Sequence, residues 1–172
     1  MSAFQQGNAD GLCGLYSILN FLKSLSDWRS ETPEGAMKIV LEAAQSEGAL
    51  TPEKITGGFC SDELQRIANR VFARFRMPYR AYHFEEIEWR EEDDAYQNHH
   101  QVLDSGGAII GGRDGREHWV LFRRTVDGPV LVNSADQKQP TRAFNGRLKS
   151  HCSSDSIALL PITRATVEIG QV

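Results

Sequence analysis

In the first half of the chain the apolar positions recur at helical spacing. Leu15, Ile18, Leu19, Leu22 and Leu25 follow an i, i+3, i+4, i+7 pattern and predict an amphipathic helix over residues 13–26. Gly11 and Gly14 bracket its start, and Asp10 stands where a cap belongs. Met37, Val40, Leu41 and Ala44 make one stripe over residues 34–47, with Thr32-Pro33 as the start signal. A third helix is predicted over residues 61–76. Leu64, Ile67, Ala68, Val71, Phe72 and Phe75 supply its buried face, Ser61 or Asp62 caps it, and Pro78 stops it.

The period then changes from helical to alternating. Residues 79–84 (YRAYHF) read as a strand. The runs GGAIIGG, EHWVLFRR, PVLVNS and SIALLPI are short, apolar and bounded by Gly, Pro or Ser, which predicts four more strands. TVEI near the C-terminus would add an edge. Asp127-Gly128 is a hairpin signal between the second and third of these runs. The acidic stretch 85–98 has room for a further helix. Helices first and strands afterwards predict an α+β domain, with N-terminal helices packed on an antiparallel sheet formed mainly by the C-terminal half. No repeat or low-complexity linker divides residues 1–172, so a single domain is expected.

Composition narrows the functional classes. Apolar residues make up 40% and charged residues 24%, the balance of an ordinary globular protein with a core of its own. The formal net charge of −4 argues against a nucleic-acid partner, because phosphate contacts need clustered Lys and Arg. Arg66, Arg70, Arg74 and Arg76 lie close together and read as a solvated helix face. No run approaches the ~20 apolar residues of a membrane helix, and the N-terminus lacks a secretory signal. Cys13, Cys60 and Cys152 are odd in number and form no C-x-x-C pair, which suits neither a disulfide framework nor a zinc site. The expected location is the cytoplasm, or the inside of a host cell reached without a conventional signal peptide, as for an exported effector.

Three residues carry a coherent chemistry. Cys13 opens the first helix, where the helix dipole and unpaired N–H groups favour a thiolate. Its own N–H can point at a developing oxyanion, and the flanking glycines leave room around the sulfur. His118 begins an apolar strand directly after a Gly-rich turn. A Cys–His pair is the minimal unit for thiol acyl transfer. Asn133 or Asp136, on the returning strand, would orient the imidazole as a third member. A three-residue loop Val126-Asp127-Gly128 would set Asp136 opposite His118, whereas setting Asn133 there needs a bulge or an unfavourable turn.

The blocks QGNADGLCGLYSILNFL, EHWVLF and VLVNSADQ, in that order, resemble the papain-like cysteine peptidase superfamily. The Cys-Gly and aliphatic helix are similar to C39-like peptidases. The Glu-His-Trp tripeptide and the Asn-Ser pair are similar to Josephin-type deubiquitinases. The resemblance implies that a Gln ahead of the nucleophile completes the oxyanion hole. Gln6 is the first candidate, with Asn8 and Gln5 as alternatives. It favours Asn133 as the third member, and a peptide or isopeptide substrate that includes ubiquitin-like conjugates. A glutamine deamidase, a transglutaminase or another acyltransferase would use the same triad. A non-catalytic protein-binding module on this fold is the alternative from another class.

The remaining features read more simply. Cys60 also opens a helix and competes as a nucleophile, but no amide stands upstream of it in the right place. Cys152 follows His151, and neighbouring strand side chains point apart. His99 and His100 sit in a polar stretch with no further ligands, so neither a metal nor a cofactor is expected. The acidic residues between 85 and 94 form a solvated face or a docking site for a basic partner. Trp119 reads as core or as a cleft wall. The short stretch ahead of Cys13 suggests control by substrate access rather than by removal of a propeptide.

Overall fold

A computed structural model describes residues 11–25, 32–86, 106–111, 118–136, 138–139, 141–144 and 156–162. Four helices come first: α1 (Cys13–Ser24), α2 (Pro33–Ser46), α3 (Pro52–Gly57) and α4 (Ser61–Arg74). Six strands follow: β1 (Tyr79–His83), β2 (Gly107–Gly111), β3 (Trp119–Thr125), β4 (Gly128–Val132), β5 (Thr141–Ala143) and β6 (Ile157–Pro161). They form one sheet in the order β1-β6-β2-β3-β4-β5, and every pairing is antiparallel. The α+β expectation therefore stands. No helix among the described residues is long and apolar enough to cross a membrane.

The helices begin where their chemistry allows. Thr32 and Thr51 each accept a backbone N–H three residues on, ahead of Pro33 and Pro52. α3 has no counterpart in the apolar pattern, although Thr51-Pro52 repeats the start signal of α2. At α4 the cap is Cys60 rather than Ser61 or Asp62. Glu63 accepts the Cys60 N–H at 2.9 Å and closes a capping box. α4 ends through Arg76 in the left-handed region (φ 53°), as Met77 N–H returns to the Phe72 carbonyl at 2.9 Å, and Pro78 follows.

Two apolar layers flank the sheet. On the helix side, Leu15, Ile18, Leu19 and Leu22 of α1 join Leu64, Ile67, Val71 and Phe72 of α4 over Ile109, Leu121, Ile157 and Leu159. Phe21 meets Phe72 and Tyr79 edge-on, with ring centroids 5.8 and 5.3 Å apart. On the other face Ala108, Ile110, Phe122, Ala158 and Leu160 are also buried. β2 and β6 are therefore apolar at nearly every position, which is why GGAIIGG and SIALLPI read as continuous runs without alternation. α1 lies across β3 and β2, so its N-terminus comes to the start of β3.

Candidate functional site

Cys13 is the first residue of α1 and is 2% exposed. The N-cap residue is Leu12, which has no side-chain acceptor for the first-turn N–H groups. Asp10, expected as the cap, lies outside the described residues, as do Gln5, Gln6 and Asn8, the candidates for the oxyanion hole. The glycines beside Cys13 serve packing rather than the sulfur. A Cβ on Gly14 would sit 2.5 Å from a Leu64 methyl, and one on Gly11 would run into the Gly58 nitrogen. Both close approaches seat the start of α1 against α4 and the α3–α4 connection.

β3 meets the sulfur through its backbone. The Trp119 N–H donates to Cys13 Sγ at 3.3 Å. Trp119 is then held from two further directions. Its indole N–H donates to the Phe59 carbonyl at 2.8 Å, and the Ser17 hydroxyl reaches its carbonyl at 3.4 Å and that of Cys13 at 2.9 Å. Sequence reasoning gave Trp119 only a packing role. It missed the backbone donor because an N–H leaves no mark in residue identity.

His118 immediately precedes Trp119. Its Nε2 lies 2.7 Å from Asn133 Oδ1. An amide oxygen can only accept, so this contact assigns the proton to Nε2 and leaves Nδ1 as the lone-pair nitrogen of a neutral ring. The Asn133 oxygen also accepts the Ala135 N–H at 3.0 Å, which fixes which way the amide faces.

Asp136, the other candidate for orienting His118, is engaged elsewhere. Its carboxylate accepts the N–H groups of Lys138 (3.1 Å) and Gln139 (2.9 Å) and is paired with Arg142. The Gln139 N–H, the Arg142 guanidinium and the Lys138 N–H hold the carboxyl below its ordinary range. The expected register is corrected here. Thr125 pairs with Gly128, not Pro129, so the turn is Val126-Asp127 and the positive φ (114°) falls on Gly128. The pairing stops at Leu121–Val132, and Asn133 reaches His118 from the turn that follows β4 rather than from within the ladder.

Cys60 is exposed, caps α4 and stands beside Phe59, the residue whose carbonyl Trp119 holds. Arg66 and Arg70 both reach the Glu47 carboxylate, at 3.4 and 2.5 Å, on an exposed helix face. Glu86 accepts the His83 N–H and the Gln65 amide, each at 2.7 Å, so it is tied into local structure. Cys152, His99, His100, residues 88–94 and the TVEI segment lie outside the described residues. Among the described residues no group of three or more His, Cys, Asp or Glu could hold a metal ion. No family model matches the chain, and no curated protein matches it closely enough to serve as a relative.

Proposed function

We propose that the chain is a thiol-dependent hydrolase of papain-like type that cleaves a peptide or isopeptide amide bond. In this reading Cys13 is the nucleophile, His118 the general base and acid, and Asn133 the orienting residue. Gln6 and the Cys13 N–H would complete the oxyanion hole. The observation that carries the reading is the junction at the start of β3. There one residue brings an imidazole bonded to an amide oxygen, and the next brings an N–H to the sulfur. The Asn133 bond supports the tautomer that would leave Nδ1 to take the thiol proton. A helix N-terminus and a donated N–H both favour the thiolate that results.

The chemistry then runs in two halves. The Cys13 thiolate adds to the amide carbon, and the His118 imidazolium gives its proton to the leaving amine. The acyl-enzyme is opened by a water that His118 deprotonates, which regenerates the thiol. The test is incubation of the protein and its Cys13→Ala variant with candidate proteins and ubiquitin-like conjugates, followed by mass spectrometry. Cleavage that vanishes in Cys13→Ala supports the reading. A one-dalton gain without cleavage identifies a deamidase instead, and turnover that survives Cys13→Ala refutes the mechanism.

A further inference from the structure

Asn133 orients His118 only if its own amide is held still, and the segment after it is built to do that. β4 ends at Val132. The Asp136 N–H returns to the Asn133 carbonyl at 3.2 Å, closing a four-residue turn, while the Ala135 N–H bonds the Asn133 side-chain oxygen at 3.0 Å. The Asp136 carboxylate then gathers the Lys138 and Gln139 N–H groups and the Arg142 guanidinium at the head of β5. β5 is hydrogen-bonded to β4, with Thr141 opposite Val132, the residue just before Asn133. The turn is thus closed on both sides. One end is strand β4, and the other is anchored to β5 through a single carboxylate.

We infer that Asp136 is a positioning residue for the site. By clamping the turn after Asn133 to β5, it holds the Asn133 oxygen in line with His118 Nε2. It touches neither the sulfur nor the imidazole and acts through Asn133. Its value as a clamp lies in the number of donors on one side chain: two backbone N–H groups from the outgoing loop and one guanidinium from the neighbouring strand. Asp136→Asn keeps an oxygen for the two N–H groups but gives up the charge that holds Arg142. The inference rests on the proposed hydrolase site for its functional meaning, but the geometry it predicts is measurable by itself.

The experiment compares the full chain with Asp136→Ala, Asp136→Asn and Arg142→Ala. It reads two quantities: the His118 Nε2 proton by NMR, and the rate of Cys13 alkylation by iodoacetamide across pH. Asp136→Ala is expected to lose the hydrogen-bonded His118 proton and to slow Cys13 alkylation at neutral pH by about tenfold. That is well short of the ~10²–10⁴ attributed to a general base itself. Asp136→Asn and Arg142→Ala are expected to fall between Asp136→Ala and the parent on both readouts. Unchanged values in Asp136→Ala overturn the inference, and if that variant fails to fold, unchanged values in Arg142→Ala do so. Should Cys13 of the parent chain react no faster than a free thiol, the hydrolase reading fails. The His118 proton still decides the role of Asp136, because its persistence in Asp136→Ala contradicts the clamp.

Discussion

The sulfur of Cys13 accepts a hydrogen bond from the backbone N–H of Trp119 at 3.3 Å, across the junction of α1 and β3. This contact links the helix that carries the candidate nucleophile to the strand that the candidate base immediately precedes. It also separates Cys13 from Cys60, the other thiol among the described residues that heads a helix. Cys13 is buried, and Cys60 is exposed. If exposure governed reactivity, Cys60 would be alkylated first. If thiolate character governs it, Cys13 reacts first near neutral pH in spite of its burial. We expect the second order. Brief treatment with limiting iodoacetamide followed by peptide mass spectrometry reads it, and modification confined to Cys60 would sink the assignment of Cys13.

Asn133 offers the imidazole an acceptor and nothing else, so its replacements sort by whether they keep an oxygen in place. Asn133→Ala removes the partner of His118 Nε2–H and of the Ala135 N–H together. Turnover, or Cys13 alkylation at neutral pH, should fall ~10–100-fold, the scale of loss when the outer partner of a metal-bound histidine is removed. Asn133→Asp keeps the acceptor and should retain most of the rate. Equal losses in the two variants would show that the acceptor oxygen is not what the site requires of this side chain.

Helices α1, α2 and α4 are legible because their apolar stripes are amphipathic, and α2 also because Thr32-Pro33 marks its start. β2, β3, β4 and β6 were legible as apolar runs between glycine, proline and serine. α3 escaped notice because six residues with no buried side chain leave no periodicity to read. β5 escaped for a similar reason: Thr141, Arg142 and Ala143 are all exposed. The contact between residues 118 and 133 was harder than either. It depends on whether the hairpin turn holds two residues or three, and one residue of slip exchanges the faces of the returning strand. A three-residue loop Val126-Asp127-Gly128 favours Asp136 and a bulge favours Asn133, so the sequence leaves the two competing. Their separation comes from the hydrogen bond between His118 and Asn133, and from an arginine on β5 that takes up Asp136.

Trp119 ties its strand to the α3–α4 connection through one buried bond, from the indole N–H to the Phe59 carbonyl at 2.8 Å. Trp119→Phe keeps a ring in the core but leaves that carbonyl without its donor. A buried acceptor stripped of its partner costs about 1–3 kcal/mol. Urea unfolding should show a loss in that range with little change in slope. The backbone N–H to Cys13 is untouched by the substitution, so Cys13 alkylation in the folded variant should slow less than stability suggests. A stability unchanged from the parent would mean that the carbonyl finds another donor.

Asp136 also makes a prediction about acid. Its carboxyl is held below the ordinary value of 3.8, first by the Gln139 N–H and then by Arg142. A carboxylate depressed in the folded state stabilises the fold fully at pH above its unfolded value. That contribution is lost as pH falls through the folded value, when both states carry the proton. Glu63 is held low as well, where burial, which alone would raise it, is outweighed by the Cys60 N–H and Lys54. Comparing the parent with Asp136→Asn cancels Glu63, since both chains contain it. The stability difference between the two, from urea unfolding at a series of pH values, should be constant from neutral pH down to the ordinary carboxylate range. It should then shrink as the pH drops further. A difference that stays level into strong acid would mean that the Asp136 charge contributes nothing and that its oxygen alone closes the turn.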